Sequence, residues 1–267
     1  MEDLVGPRID LESINDTLSI LTWLGIEWDG EPVTQSENLA PYHERIGLLI
    51  SQAQVYHCNL SRKEIDQFSL APHADDPHGK RGVRPDDVQL HNDAWDNTPT
   101  NWRFVAPTGE YAIEDELRGE QQFENMEDFV VWTKNDMPAY QLAVVVDDQR
   151  QGITDVVRGN DLLESTLWQS QLYAVFNATP PKWWHLPLVL GEDSRRLAKR
   201  HGDTRITTLR NQGIPPERII GLVAKWTGTS QKRRLLTSTD FRDAFDIRSV
   251  PTEDIVFTKE DHQWLLD

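Results

Sequence analysis

Apolar positions with helical spacing dominate the first fifty residues. Leucine and isoleucine recur every three or four positions between residues 11 and 24, with Asp10 placed to cap the helix and Gly25 to end it. A second amphipathic helix is predicted to begin after Pro41 and to turn three apolar side chains inward, Ile46, Leu49 and Ile50. Ser61 and Glu64 have the spacing of a capping box, which predicts a short third helix.

The pattern changes between residues 71 and 100, where Asp, His, Asn, Pro and Gly dominate and no period is visible. Such a stretch predicts a loop-rich insertion. Residues 103–123 then have the composition of short strands around a turn at Pro107, Thr108 and Gly109.

Three apolar runs follow, at residues 142–146, 153–157 and 186–190, with a helical stretch from 161 to about 176. We interpret the valine-rich runs as strands, so that strand, helix and strand predict a parallel sheet with a right-handed crossover.

The chain beyond Gly202 is predicted to be helical. Helices are expected at residues 204–211 and 216–226, the first of them ending at Gly213. The spacing of Thr258 and Asp261 predicts a capped last helix.

Charged groups follow each of the three apolar runs. Ligands of an open parallel sheet lie beyond the carboxyl ends of its strands. A lone Asp at a strand end is more often a helix cap than a catalytic group, but three such loops with charge and glycine favour a binding site. These groups are Asp147-Asp148, Arg158-Gly159-Asn160-Asp161, and residues 191–202 with their basic cluster.

Composition narrows the class of protein. The 267 residues suit one large domain or two small ones, and a net charge of −17 argues against a general nucleic-acid binder. Basic residues are nevertheless concentrated between residues 194 and 210. No apolar run reaches the roughly 20 residues that span a bilayer, and Met1 to Leu4 lack the features of a signal peptide. We therefore expect a cytoplasmic protein with no membrane partner.

Short motifs in a fixed order run through nearly the whole chain, apart from the insertion. They lie at residues 2–4, 24–30, 35–37, 56–58, 61–65, 138–148, 152–163, 185–190 and 196–199. Together they resemble the glutamyl-tRNA synthetases, and residues 196–199 resemble the KMSK-type loop of that family. The resemblance implies an α/β fold, a Rossmann-like class I synthetase catalytic domain that lacks its first strand.

The same resemblance implies four regions and, we expect, a monomer. Residues 1–70 would form the first part of the nucleotide-binding fold, and residues 71–125 an acceptor-like insertion. Residues 126–202 would form the second half with the KMSK-like loop, and residues 203–267 a short helical C-terminal region.

The resemblance also implies roles for five residues. Glu2 would contact the α-amino group of glutamate, Tyr140 would line the glutamate pocket, and Arg158 would pair with the substrate carboxylate. Arg196 and Lys199 would bind ATP, with Lys199 as the catalytic residue that stabilises the triphosphate and Mg²⁺ screening the phosphates. A planar guanidinium suits a carboxylate because it offers two parallel hydrogen bonds. The alternatives are a structural salt bridge for Arg158 and a core aromatic for Tyr140.

Two departures from the family pattern concern missing elements. The family begins with a strand and an APSPTG-type loop that carries its HIGH-type histidine. In this chain the match to the family pattern begins only at Glu2, after the position of that segment. We favour a start codon assigned too late over a decayed, non-catalytic paralogue. Many relatives have a Cys-x-Cys zinc site, but Cys58 is the single cysteine here, so we predict no structural zinc.

A third departure concerns the C-terminal side. About 68 residues follow Lys199, whereas helical anticodon-binding domains need far more chain. The short form resembles the glutamyl-queuosine tRNA(Asp) synthetases of the family. It implies transfer of glutamate to queuosine of tRNA(Asp), and the alternative is a truncated enzyme that charges tRNA(Glu).

Overall fold

A computed structural model describes residues 1–4, 11–58, 99–124, 126–195, 197 and 205–267. The α-helices of these residues are α1 (Leu11–Trp23), α2 (Ala40–Ser51), α3 (Tyr140–Gln151), α4 (Leu163–Val175), α5 (Ile206–Asn211), α6 (Pro216–Trp226), α7 (Ser238–Ala244) and α8 (Lys259–Leu266). None of these helices has the length and apolar character needed to cross a membrane.

The strands form three sheets. They are β1 (Val55–Cys58), β2 (Asn101–Phe104), β3 (Tyr111–Asp115), β4 (Gly119–Phe123), β5 (Phe129–Thr133), β6 (Met137–Pro138), β7 (Asp155–Gly159), β8 (Lys182–Leu186), β9 (Val189–Leu190) and β10 (Ile255–Val256). An antiparallel sheet has the order β1-β2-β5-β6, and a mixed sheet has the order β4-β3-β8-β7. Strands β9 and β10 form a parallel pair.

The predicted crossover is present in the mixed sheet. Strand β7 is followed by α4 and then by β8, which pairs with β7 in parallel along its whole length. Strand β3 pairs with the other edge of β8, also in parallel. Within the described residues β7 has no strand on its outer edge, and Val157 there is 57% exposed.

The main core lies between α2, α3, α4 and the two four-stranded sheets. The three apolar residues predicted to face inward from α2, Ile46, Leu49 and Ile50, are all buried. This agreement follows from helical spacing, because positions i, i+3 and i+4 share one face of a helix.

The prediction of a strand at residues 142–146 is wrong. These residues belong to α3, which buries Leu142, Ala143 and Val146 on one face and leaves Val144 only partly buried. Valine has a modest preference for strands, and burial of a helical stripe outweighs it. Asp147 and Asp148 therefore occupy the end of a helix, which Gly152 terminates with a φ of 66°.

The third apolar run is also placed differently. Strand β8 ends at Leu186, where the run begins, because Pro187 has no N–H to donate to a sheet. Residues 189 and 190 then leave the mixed sheet and pair with β10.

The C-terminal helices pack against α1 rather than standing apart. Trp23 and Leu24 contact a small core formed mainly by α5, α6 and α8. Gly25 ends the helix as predicted, with a φ of 72°, and a Cβ atom there would lie 2.6 Å from Ser238 Oγ. The predicted helix at residues 216–226 and the Thr258 capping box are confirmed. Asp10, residues 61–64 and nearly all of the 71–100 insertion lie outside the described residues.

Candidate active site

Arg158 occupies the carboxyl-terminal part of β7 and is held by three neutral side chains. Its Nε donates to His185 Nε2 at 3.1 Å, Nη1 to Gln169 Oε1 at 2.9 Å, and Nη2 to Thr166 Oγ1 at 2.7 Å. A guanidinium has five N–H donors, so two are left for other partners. No carboxylate of the described residues forms an ion pair with Arg158, which is not the structural salt bridge considered above.

His185 and Asp115 form a buried pair behind Arg158. The His185 Nδ1 atom lies 2.6 Å from Asp115 Oδ2, and neither side chain is exposed. Because arginine only donates, His185 Nε2 must accept and Nδ1 must carry the hydrogen. Burial lowers the pKa of His185, and the positive charge of Arg158 acts in the same direction while the hydrogen bond to Asp115 opposes them. The imidazole is therefore neutral at neutral pH.

Two glutamines connect this site to α3 and α4. Gln169 Nε2 donates to Gln141 Oε1 at 2.7 Å, and Gln141 Nε2 donates to Ser165 Oγ at 3.1 Å. Gln169 is buried, so these contacts leave its amide little freedom to rotate. The orientation of the Gln169 oxygen toward Arg158 is thus determined by the surrounding hydrogen bonds.

Tyr140 is the first residue of α3, and its partly buried side chain lies close to the positive charge of Arg158. Burial raises the pKa of this phenol, and the nearby Glu2 carboxylate raises it further, while Arg158 lowers it. The hydroxyl therefore stays protonated at neutral pH.

Glu2 lies near this cluster, in a short segment without regular secondary structure. Gln35 N donates to Met1 O at 3.2 Å and Ser36 N donates to Asp3 Oδ1 at 2.9 Å, which fixes this segment beside residues 33–36. Glu2 itself is exposed and acts electrostatically on Tyr140. Glu2 and Arg158 are 156 positions apart in the sequence, and the structure brings both close to Tyr140.

Asp148 and Tyr173 are neighbours of this cluster. Asp148 belongs to one of the three charged groups that the sequence singled out, whereas Tyr173 was not selected from the sequence. Tyr173 donates its hydroxyl hydrogen to Asp148 Oδ2 at 3.5 Å. Burial raises the pKa of Asp148 to about 6, although Tyr173 and Arg158 both lower it. Both residues also line an open groove of about 500 Å³. The sequence marked Asp148 as part of an acidic pair after an apolar run, and the structure places this pair in a helix instead of at a strand end.

Arg196 and Lys199, the two residues expected to bind ATP, lie outside the described residues. Cys58 is buried at the end of β1. Within the ranges described there is no group of three or more His, Cys, Asp or Glu side chains that could hold a metal ion. The histidines of the insertion lie outside these ranges, so the absence of structural zinc stays a prediction.

The family model for tRNA synthetases class I (E and Q), catalytic domain, matches residues 1–264. The chain belongs to this family. A protein named glutamyl-Q tRNA(Asp) synthetase from Rhodopirellula baltica is 38% identical over 244 residues, which cover 85% of this chain and 74% of that protein. A protein of the same name from Symbiobacterium thermophilum is 33% identical over 96% of this chain and 83% of its own length.

Other family members are longer. Glutamate–tRNA ligase 2 from Halorhodospira halophila is 30% identical over 99% of this chain, but the chain spans only 57% of that ligase. The crystal structure of a glutamate tRNA ligase from Elizabethkingia meningosepticum has the same fold, with a TM-score of 0.77 and 24% identity. That match covers 99% of this chain and 61% of the ligase. The expected class I, Rossmann-like fold is confirmed.

Proposed function

We propose that this family member activates glutamate with ATP and transfers the glutamyl group from glutamyl-adenylate to a tRNA. The observation that carries the proposal is the half-buried guanidinium of Arg158, whose described acceptors are all neutral side chains. A half-buried guanidinium whose described hydrogen-bond acceptors are all neutral favours an anionic ligand, because a carboxylate can accept from its remaining N–H groups.

Glutamate fits this arrangement at both ends. The two remaining N–H groups of Arg158 and the hydroxyl of Tyr140 would bind its side-chain carboxylate. The exposed carboxylate of Glu2 would attract its ammonium group. Glutamine would bind more weakly, because its amide NH₂ is a donor and cannot accept from Arg158.

Adenylate formation would then join the α-carboxylate oxygen of glutamate to the α-phosphorus of ATP. The bond from that phosphorus to the oxygen bridging the α- and β-phosphates would break, and pyrophosphate would leave. Arg196 and Lys199 would stabilise the negative charge that moves onto the pyrophosphate. Mg²⁺ would enter with ATP and screen its phosphates, and no protein ligand to it is assigned. A tRNA hydroxyl would finally attack the glutamyl carbonyl and release AMP.

The acceptor that we propose is queuosine in tRNA(Asp). Support comes from the two relatives named glutamyl-Q tRNA(Asp) synthetase, of which the chain covers 74% and 83%. Charging of tRNA(Glu) is the alternative, supported by the glutamate–tRNA ligases that match 99% of the chain. A monomeric state and a cytoplasmic location stay predictions from the sequence.

Labelled glutamate separates these acceptors. The protein is incubated with ATP, Mg²⁺ and [¹⁴C]glutamate, together with queuosine-containing tRNA(Asp), tRNA(Asp) lacking queuosine, or tRNA(Glu). Label on the queuosine-containing tRNA alone supports the proposal, whereas label on tRNA(Glu) alone establishes the alternative. A protein that binds glutamate but labels none of the three would be a non-catalytic paralogue.

A further inference from the structure

We propose that Asp115 and His185 are positioning residues that orient the Arg158 guanidinium toward the side-chain carboxylate of glutamate. The inference rests on the proposed function for the identity of the ligand. The contacts that carry it do not involve any ligand.

The three residues form a row across adjacent strands of the mixed sheet. Asp115 ends β3, His185 lies on β8, and Arg158 lies on β7 as the register partner of His185. Hydrogen bonds join Asp115 Oδ2 to His185 Nδ1 at 2.6 Å and His185 Nε2 to Arg158 Nε at 3.1 Å. One end of the row is fully buried, and the other ends at the half-buried guanidinium.

His185 is fixed at its backbone as well as at its ring. Its N–H donates to Asp115 Oδ2 at 3.1 Å, and its carbonyl accepts from Arg118 Nε at 2.8 Å. With its backbone held at two points and its ring held at Nδ1 by Asp115, the buried imidazole has little freedom to rotate. The lone pair on Nε2 therefore has a fixed direction, and it sets the direction of the Arg158 Nε–H bond.

Asp115 determines which imidazole nitrogen carries the hydrogen. Its Oδ2 accepts from His185 Nδ1, so Nε2 is left as an acceptor for Arg158. An amide NH₂ in place of Oδ2 would face the Nδ1–H group and favour the other tautomer. The hydrogen on Nε2 would then oppose the hydrogen on Arg158 Nε, and the guanidinium would lose one of its three described acceptors.

Asp115 also has a local structural role, which the variants must take into account. Its Oδ1 accepts from Leu117 N at 3.1 Å and from Arg118 N at 2.8 Å, which stabilises the turn between β3 and β4. Replacement by alanine would disturb this turn. Asp115→Asn keeps an oxygen for the turn and changes the group that faces His185.

The test compares ligand affinity with a readout that needs no ligand. Calorimetry measures Kd for L-glutamate and L-glutamine in the wild type, Asp115→Asn, His185→Phe, His185→Gln and Arg158→Lys. Nitrogen-15 NMR measures hydrogen exchange of the Arg158 Nε–H group, assigned by its loss in Arg158→Lys. Melting temperatures report on folding of each variant.

We expect Asp115→Asn and His185→Phe to weaken glutamate binding at least about tenfold, the loss expected when a charged group loses a hydrogen-bond partner. Exchange at Arg158 Nε should accelerate in both, and the preference for glutamate over glutamine should fall. His185→Gln should recover much of the affinity, because its amide oxygen can replace Nε2 as an acceptor.

Two different results would separate the proposals. Glutamate affinity and Arg158 exchange both within twofold of the wild type in folded His185→Phe would overturn the positioning role, leaving the proposed function intact. A wild type that binds no glutamate would overturn the proposed function, and Arg158 exchange in the variants would still decide whether Asp115 and His185 orient the guanidinium.

Discussion

Tyr173 on α4 reaches Asp148 on α3 with a hydroxyl-to-carboxylate distance of 3.5 Å, beside the positive charge of Arg158. The contact places a titratable carboxyl group at the border of the candidate site. Burial raises its pKa from 3.8 to about 6. The folded state therefore binds a proton more tightly at Asp148 than the unfolded state does.

This difference predicts a pH dependence of stability. Since the native state binds more protons than the unfolded state between pH 4 and 6, the Asp148 contribution to the free energy of unfolding falls as pH rises through that window. Asp148→Asn should be more stable than the wild type at pH 7, by about 1 kcal/mol after allowance for screening of a half-buried group. The advantage should disappear below pH 4, as measured by urea unfolding at both pH values.

The adjacent Asp147 is the matched control. Its carboxylate accepts from Gln35 at 2.8 Å and from the Tyr42 hydroxyl at 2.8 Å, both buried. Asp147→Asn should destabilise the protein at pH 7 by about 1–3 kcal/mol, because these donors lose a charged acceptor. Equal effects of the two substitutions would contradict the assignment of a destabilising, ionised Asp148.

Arg158 and Lys199 are expected to affect different steps. Arg158→Ala should raise the Kd and KM for glutamate about a hundredfold, since it removes a charge-assisted contact with the substrate carboxylate. Lys199→Ala should leave glutamate affinity nearly unchanged and lower kcat about a hundredfold, because it removes stabilisation of the transition state. Calorimetry measures the Kd for glutamate, and pyrophosphate exchange measures KM and kcat. Unchanged exchange in both variants would refute the residue assignments.

Protonation of His185 should weaken glutamate binding at acid pH. The pKa of His185 is lowered below its ordinary value of 6.5, mainly by burial. The unfolded state therefore binds this proton more tightly than the folded state does. The His185 contribution to the free energy of unfolding is complete above pH 6.5 and falls as the pH drops below that value. Glutamate affinity should be constant above pH 6.5 and fall only at lower pH, as the folded-state pKa of His185 is approached. His185→Gln should remove this acid limb, and an identical pH profile in that variant would exclude His185 as its origin.

Local pattern was sufficient for several helices and for the family. The inward face of α2, the Gly25 helix end and the Thr258 capping box each depend on residues within eight positions of one another. Such features are set by backbone sterics and helical periodicity, which a sequence displays directly. The order of short motifs likewise indicated an α/β synthetase domain without knowledge of any contact.

Contacts between distant residues were decided only by the tertiary structure. Residues 142–146 have strand-like composition, yet burial of one face against the core makes them helical. Arg158 was identified from its motif, but its link to His185 depends on the register of two strands, and the further link to Asp115 spans 70 positions. Strand register and the order of strands in a sheet follow from packing of the whole domain, so no local pattern reports them. The sequence by itself determined the family and the expected ligand-binding residues, and the fold determined which neutral groups surround the arginine.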